Sequence, residues 1–179
     1  MARTLLAVLV PEAEPLVGEL RTRYDPAARR GLGAHITLVY PFVDSTLVTK
    51  DLLEQLQAVA VRHAPLRFRL DSVRCFPSTV WLAPDPAAPI AALASDIERA
   101  FPERPAVGHA FPHFTPHLTA ARNVKREREV IATTLRERLG NLPAVDCCCG
   151  QVHVLVSTSG HWKPVAAVTL SGLGNAKGA

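Results

Sequence analysis

Residues 34–42 read AHITLVYPF and residues 116–122 read PHLTAAR, so the same His-x-Thr pattern occurs in two distant parts of the chain. Apolar and polar side chains alternate in the first stretch, which is typical of a β-strand. Residues two apart in a strand point to the same side. The pattern therefore predicts that the His and the Thr of each stretch project together from one face. The residues that alternate with them in the first stretch, Ile36, Leu38 and Tyr40, are predicted to face the core.

The elements around these stretches are predicted to follow one order twice. Periodicity indicates strand, helix, strand, helix and strand, and the same order begins again at Thr79. The predicted strands cover residues 5–10, 34–42, 66–70, 79–84, 117–122, 145–157 and 163–170. The predicted helices cover residues 12–23, 49–63, 86–101 and 124–139. A duplicated α+β unit accounts for this order, and two such units commonly meet at a cleft.

Local signals set several of the predicted boundaries. Asp85, which precedes Pro86, is predicted to cap the third helix, and Asn123 is predicted to cap the fourth. The apolar residues of the third predicted strand have even numbers before Asp71 and odd numbers beyond it, so a β-bulge is expected there.

The chain is predicted to form a single bilobed domain over residues 1–171, with repeat halves of about 1–76 and 77–171. The tail, residues 172–179, has few apolar residues and is predicted to be flexible. The chain has 179 residues, of which 48% are hydrophobic and 20% charged. This composition is typical of a folded protein and excludes disorder and a simple coiled coil.

Charge and cysteine content narrow the class of protein. The chain has 20 Lys and Arg against 16 Asp and Glu, a net charge of +4, which suits an anionic substrate but does not require bulk nucleic-acid binding. No segment reaches the roughly 18 apolar residues of a membrane span. Cys75 and the run at residues 147–149 lack the spacing of a zinc site. We therefore expect reduced thiols in a cytoplasmic, monomeric protein.

Two histidines that face one cleft suit phosphoester chemistry without a metal. Because the ordinary pKa of histidine is about 6.5, a neutral ring can take a proton from water while a protonated ring donates one to a leaving oxygen. The threonine hydroxyls add donors for the non-bridging oxygens of a phosphate. Such a site favours a cyclic phosphodiester, whose leaving alkoxide stays tethered. The hypothesis requires that both rings lie close together and reach solvent.

The two quoted stretches resemble the paired motifs of the 2H phosphoesterases, and within them those of the 2′-5′ RNA ligase or RNA 2′,3′-cyclic phosphodiesterase group. The resemblance covers nearly the whole chain through the order of strands and helices. It implies an α+β, bilobed and pseudo-twofold fold with antiparallel sheets around a central cleft and helices packed outside. It also implies an enzyme with neither metal nor cofactor.

The resemblance assigns roles to five residues. His35 would be the proton donor and His117 the proton acceptor. Thr37 and Thr119 would hold the phosphate, and Arg122 matches a basic residue that follows the second motif in some relatives. The implied reaction opens the 2′,3′-cyclic phosphate of an RNA end or nucleotide to a 2′-phosphate, and in reverse the site could join 2′-5′ ends.

Another interpretation of the histidines is a metal site. His109, His113 and His117 are spaced four residues apart, which on a helix would align them as ligands. Pro112 and Pro116 disfavour that helix, and no carboxylate or cysteine joins the set. The two extra histidines before the second motif leave the identity of the substrate open.

Further alternatives concern the cleft as a whole. The protein could be a non-catalytic module that holds RNA ends or a phosphorylated ligand. The same fold could act on another cyclic phosphate, such as an ADP-ribose derivative. The small Ala120 departs from the family pattern, which also leaves the identity of the substrate open. Trp81 either stacks on a base or packs in the core. Arg67 and Arg69 share a strand face and either guide an anionic substrate or lie in solvent.

Overall fold

A computed structural model describes residues 2–102 and 114–173 of the chain. Within these ranges the strands are β1 (Thr4–Leu9), β2 (His35–Val39), β3 (Leu66–Phe76), β4 (Thr79–Asp85), β5 (Leu118–Arg122), β6 (Val145–Cys149), β7 (Gln151–Thr158) and β8 (His161–Thr169). The α-helices are α1 (Glu14–Tyr24), α2 (Lys50–Ala60), α3 (Ala88–Ala100) and α4 (Arg128–Asn141). The predicted α+β class is confirmed.

The strands form one eight-stranded sheet in the order β6-β3-β4-β5-β2-β1-β7-β8. Every neighbouring pair is antiparallel. The order divides into two half-sheets, β6-β3-β4-β5 and β2-β1-β7-β8, which meet where Ile36 of β2 pairs with Leu118 of β5. The predicted pair of antiparallel sheets is therefore present as two halves of one continuous sheet.

The half-sheets do not follow the order of the chain. Strand β3 lies in the first predicted repeat but pairs with β4 and β6 of the second. Strand β7 lies in the second predicted repeat but pairs with β1 of the first. The half-sheet β6-β3-β4-β5 therefore contains one strand of the first predicted repeat, and the half-sheet β2-β1-β7-β8 contains two strands of the second. The division of the chain at residues 76 and 77 stays a prediction.

The main core lies between one face of the sheet and the helices. One row of paired residues crosses the sheet on this face, each fully buried: Val8, Ile36, Leu118 and Leu82. The helices pack apolar side chains into the same core: Leu16, Val17, Leu56, Ile90, Leu93, Ile131 and Leu135. Full burial of such a side chain contributes roughly 1.5–3 kcal/mol. Since this face is occupied by the core, the opposite face is left for polar side chains.

A smaller apolar cluster lies on that opposite face, at the β1 end of the sheet. Its buried members are Leu5, Ala7, Leu32 and Leu155. Leu32 belongs to the connection between α1 and β2, so this connection folds back over the sheet before the chain enters β2. The connection therefore borders the polar face on one side.

Both predicted helix caps are wrong. Asp85 remains paired within β4, and α3 begins at Ala88 with no side-chain hydrogen bond at its N-cap. Asn123 has a positive φ of 61°, and α4 begins only at Arg128. In both places the residue after the strand belongs to a turn that carries the chain onto the helical face, so the helix starts later.

Two strand predictions also need correction. The stretch at residues 145–157 forms two strands, because the chain leaves the β3 edge at Gly150 and continues beside β1 in the other half-sheet. Tyr40, predicted to face the core, is 44% exposed and contacts the ring of Trp162 edge-on. The alternation fails there because β2 ends at Val39.

The predicted bulge in β3 is confirmed by a register shift between Leu70 and Ser72. One extra residue on β3 changes which side chains face each side of the sheet. Beyond the bulge Arg74 pairs with Trp81, so the even-numbered residues of β3, including Phe76, share the face of Trp81.

The predicted flexible tail begins with two hydrogen-bonded residues. The amides of Gly172 and Leu173 donate to the carbonyls of His63 and Val61, just beyond α2. Residues 174–179 lie outside the described ranges. A separate question is membrane insertion: of the helices in the described ranges, none combines the length and apolar character needed to cross a bilayer.

Candidate active site

The two His-x-Thr motifs meet at the junction of the half-sheets. The β2–β5 pairing is centred on Ile36 and Leu118, both fully buried in the main core. Because side chains alternate along a strand, the flanking residues project from the other face. The side chains that share this face are those of His35, Thr37, His117 and Thr119.

Their spacing follows from the antiparallel register. Extending the Ile36–Leu118 pairing by one residue in each direction places one motif's His opposite the other motif's Thr. Opposite residues have Cβ atoms about 4.5–5.5 Å apart and diagonal residues about 7–8 Å. His35 and His117 occupy one diagonal, so two imidazoles can approach a single phosphate from two sides.

Both imidazoles are held in the same way by the backbone. Nδ1 of His35 lies 2.8 Å from the carbonyl oxygen of Gly33, and Nδ1 of His117 lies 2.7 Å from that of Thr115. A carbonyl oxygen only accepts, so Nδ1 must carry the proton in each ring. The nitrogen left to act on a substrate is therefore Nε2 in both cases.

The two rings differ in burial and in their charged neighbours. His35 is 7% exposed, and burial, followed by the positive charge of Arg21, lowers its pKa to about 4. His117 is half-buried, and burial is the main cause of its lowered pKa, to which Arg122 also contributes. Without a bound anion both rings therefore favour the neutral form near pH 7. The requirement that both rings reach solvent is met only narrowly by His35.

The remaining predicted residues surround the histidines. Thr119 is buried and Thr37 half-buried. Arg122 ends β5, pairs with Thr79 and is exposed. Its charge lowers the pKa of both motif histidines, so the guanidinium acts on both rings. The structure thus brings together all five predicted site residues, and their roles stay predictions.

An aromatic wall borders the second histidine. The rings of Phe76 and Trp81 stack with centroids 4.8 Å apart. Both meet the His117 ring edge-on, at 5.2 Å from Phe76 and 5.7 Å from Trp81. Trp81 is only 5% exposed, so it packs beneath the site, which favours the packing interpretation over base stacking. Phe76 was not predicted, although the bulge in β3 was the signal that places it on this face.

Arg21 is a second residue that the sequence pattern did not indicate. It lies in α1 and is 1% exposed, whereas a charged residue in an amphipathic helix is normally expected in solvent. Its spacing of four residues from Asp25, with which it forms a buried ion pair, was the available signal. After burial, the positive charge of this guanidinium is the next largest cause of the lowered pKa of His35.

The other candidate residues lie apart from this site. Arg67 and Arg69 are exposed and line a cavity of about 490 Å³ at the β3–β6 edge, where Arg69 pairs with Asp146 at 3.0 Å. Neither arginine belongs to the predicted set of five site residues. His109 and His113 lie outside the described residues. In residues 2–102 and 114–173, no group of three metal-ligating side chains is placed to hold a metal ion.

Comparison with known families identifies a match over most of the chain. A family model described as the 2′-5′ RNA ligase superfamily matches residues 9–161. No curated protein matches the chain significantly.

Solved structures share the fold over nearly the full length. E. coli LigT in complex with 3′-AMP superposes with a TM-score of 0.63 at 17% identity, covering 95% of this chain and 98% of that one. TT0787 of Thermus thermophilus gives a TM-score of 0.63 at 20% identity with the same coverage. A structure described as a phosphoesterase gives 0.61 at 16% identity, again with that coverage. At these identities the likeness shows the fold.

Proposed function

Since the chain belongs to the 2′-5′ RNA ligase superfamily, we propose that it is a metal-independent cyclic phosphodiesterase. Its substrate would be the 2′,3′-cyclic phosphate of an RNA end or a nucleotide, and its product a 2′-phosphate. The single observation that carries this proposal is the β2–β5 register, from which the His and Thr side chains of both motifs are expected to share one face of the sheet. LigT has been crystallised with 3′-AMP, NADP+, ATP and phosphate, which supports a phosphorylated nucleotide as the ligand class.

The proposed reaction is an in-line displacement at phosphorus. Nε2 of His117 takes a proton from water, and the water oxygen forms a bond to phosphorus. The bond from phosphorus to the 3′ oxygen breaks, and Nε2–H of His35 gives its proton to that oxygen. Atoms and charge balance, because one ring gains a proton as the other loses one. If the 5′-hydroxyl of another strand replaces water, the same transfers produce a 2′-5′ linkage.

The other site residues stabilise the charge on the phosphate. The hydroxyls of Thr37 and Thr119 can donate to the non-bridging oxygens. The exposed guanidinium of Arg122 supplies positive charge, and its planar fork matches a phosphate. Preorganised donors of this kind act most strongly on charge that develops in the transition state.

We also propose that the protein is a monomer and that it lies in the cytoplasm.

The test is a substrate assay with matched variants. Wild-type protein is incubated with 2′,3′-cyclic AMP or a short RNA with a cyclic end, and products are followed by phosphorus NMR in the presence of EDTA. His35→Ala and His117→Ala should each lower kcat by about 10²–10⁴-fold, the contribution of a lost acid or base. His161→Ala, at the exposed start of β8, is the control and should leave kcat unchanged. Full turnover by His117→Ala would refute the proposal.

The second candidate is a non-catalytic module that holds an RNA end. The low exposure of His35 favours it, because a ring that is only 7% exposed has little room to exchange protons with water. Calorimetric binding of a cyclic nucleotide with no product by phosphorus NMR would support this alternative. A panel that includes a cyclic ADP-ribose derivative would separate the substrate classes.

A further inference from the structure

Helix α1 holds the backbone just before the first motif histidine from two sides. The carboxylate of Glu14 accepts a hydrogen bond from the amide of Ala34 at 2.5 Å. The guanidinium of Arg21 donates through Nη2 to the carbonyl oxygen of Leu32 at 2.8 Å. We call these two contacts the clamp. The carbonyl of Gly33, which lies between them in the chain, is the group that binds the imidazole Nδ1, so two side chains of α1 fix the group that orients the ring.

Arg21 occupies a buried position that is unfavourable for its charge. Its Nη2 lies 3.3 Å from Asp25 Oδ2, but Nε and Nη1 have no hydrogen-bond partner in the part of the chain that the structure describes. Buried donors without partners destabilise a fold relative to apolar side chains of similar volume. A role beyond packing would offset this cost, and His35 is the functional group on which the Arg21 charge acts.

We propose that Glu14 and Arg21 are positioning residues for His35, which keep its proton on Nδ1 and direct its Nε2 at the substrate. This inference deepens the proposed function and rests on it. The second motif histidine is positioned differently: its Nδ1 also binds a carbonyl, but its ring is packed against Phe76 and Trp81. The two halves of the site thus orient equivalent rings by different means.

The clamp also sets the charge around the ring. The groups that face His35 are Arg21 and Asp25 from α1 and its C-terminus, and Arg122 from β5. Two cations against one carboxylate favour a neutral ring in the free protein. An anionic phosphate beside the ring cancels this excess of one positive charge, so substrate binding should raise the pKa of His35.

Glu14→Ala tests the clamp without removing a buried group, because Glu14 is exposed. We expect kcat to fall about 10-fold or more with KM nearly unchanged, since small misplacements of a catalytic group are costly. Nitrogen-15 NMR of the His35 ring should show loss of the pure Nδ1–H tautomer. Glu14→Gln keeps an oxygen that can accept the hydrogen bond, so it should restore both kcat and the Nδ1–H tautomer of His35. Glu19→Ala, on the same helix with a contact to Arg138, is the control and should change neither.

The charge is tested by replacing the buried pair together. In Arg21→Met/Asp25→Asn no unpaired ion remains buried, and the NMR titration midpoint of His35 should rise. Arg21→Lys keeps the positive charge but lacks the planar guanidinium of arginine. The titration midpoint of His35 should therefore stay low in this variant, while kcat should fall. If the double variant does not fold, Arg21→Lys alone tests the proposal. A wild-type kcat together with the wild-type His35 tautomer in Arg21→Lys would overturn it.

The experiment separates this inference from the proposed function. If the wild-type protein hydrolyses no cyclic phosphate, the proposed function fails, while the ring tautomer and midpoint still test the clamp. If the wild-type protein is active but Glu14→Ala leaves both kcat and the His35 spectrum unchanged, the clamp is refuted and the proposed function stands.

Discussion

The two motif histidines enter the site in the same tautomer but in different surroundings. Each donates from Nδ1 to the carbonyl two residues earlier in the chain. What separates them is the buried guanidinium of Arg21 beside His35 and the aromatic pair beside His117. This difference opposes the proposed roles in the free protein, because the Arg21 charge disfavours the protonated form that a proton donor needs, so the proton on His35 must come with substrate binding.

The lowered pKa values of both histidines predict an acidic optimum for kcat/KM. The active state carries one proton on the pair, and its population is greatest between the two pKa values. Both lie below the ordinary 6.5 in the free protein, that of His35 at about 4. The value of kcat/KM should therefore fall as pH rises through neutrality, whereas the optimum of kcat should lie at higher pH because bound phosphate attracts the proton. Initial rates from pH 4 to 9 measure both, and a kcat/KM optimum at pH 7 or above would contradict the burial of the rings.

At the level of elements, periodicity predicted the helices and most strands, because burial of one face imposes it. The exceptions have local causes. Asp85 and Asn123 have side chains suited to capping, but each is used in a strand end or turn. The bulge near Asp71 was predicted from the sequence, but the contact of Phe76 with His117 also requires that β5 lies beside β4, and these two strands are far apart in the chain.

Helix α1 offers a substitution in which stability and activity should change in opposite directions. Gly18 lies inside α1, where Ala is favoured by about 1 kcal/mol. A Cβ at this position would lie 2.9 Å from Oε2 of Glu14. The flexible carboxylate can move, so the fold accepts Gly18→Ala, but the movement takes the carboxylate away from the Ala34 amide. We expect an unfolding free energy equal to or above that of the wild type, together with a lower kcat.

Denaturant titration and steady-state kinetics on the same preparation measure the two effects. Gly140→Ala in α4 is the matched control, because a Cβ there meets nothing within 4 Å. It should increase stability without changing kcat. A Gly18→Ala protein that is both more stable and fully active would show that the carboxylate position is unimportant.

For the whole molecule, the repeat in the sequence predicted that the motifs converge, but not how. The site depends on a single cross-strand pair, Ile36 with Leu118, formed by residues that are far apart in the chain. The sequence also did not predict that β3 joins the half-sheet of the second repeat, or that β7 and β8 join that of the first. Arg21 escaped prediction because a buried charge is recognisable only when its partners, Asp25 and the Leu32 carbonyl, are known.

Burying a histidine in the sheet centre makes the stability of the whole fold depend on pH. In the unfolded chain His35 takes up a proton below its ordinary pKa of about 6.5, but in the folded protein its pKa is about 4. Between these values the unfolded state binds more protons, so the free energy of unfolding falls as pH falls. At about 1.4 kcal/mol per pKa unit, the loss attributable to His35 is roughly 3 kcal/mol between about pH 7 and pH 4. His117 acts in the same direction.

The His35→Gln variant isolates this contribution, because carboxylates elsewhere titrate equally in both proteins. Its unfolding free energy, measured by urea titration at pH 7, 6, 5 and 4, should decline less steeply than that of the wild type, with the difference accumulating mainly below about pH 6.5. The variant can be less stable at pH 7 and still satisfy this expectation, since only the slope is compared. Equal slopes would mean that the folded protein accepts a proton on His35 as readily as the unfolded chain, and the assignment of a neutral, clamped ring would then be wrong.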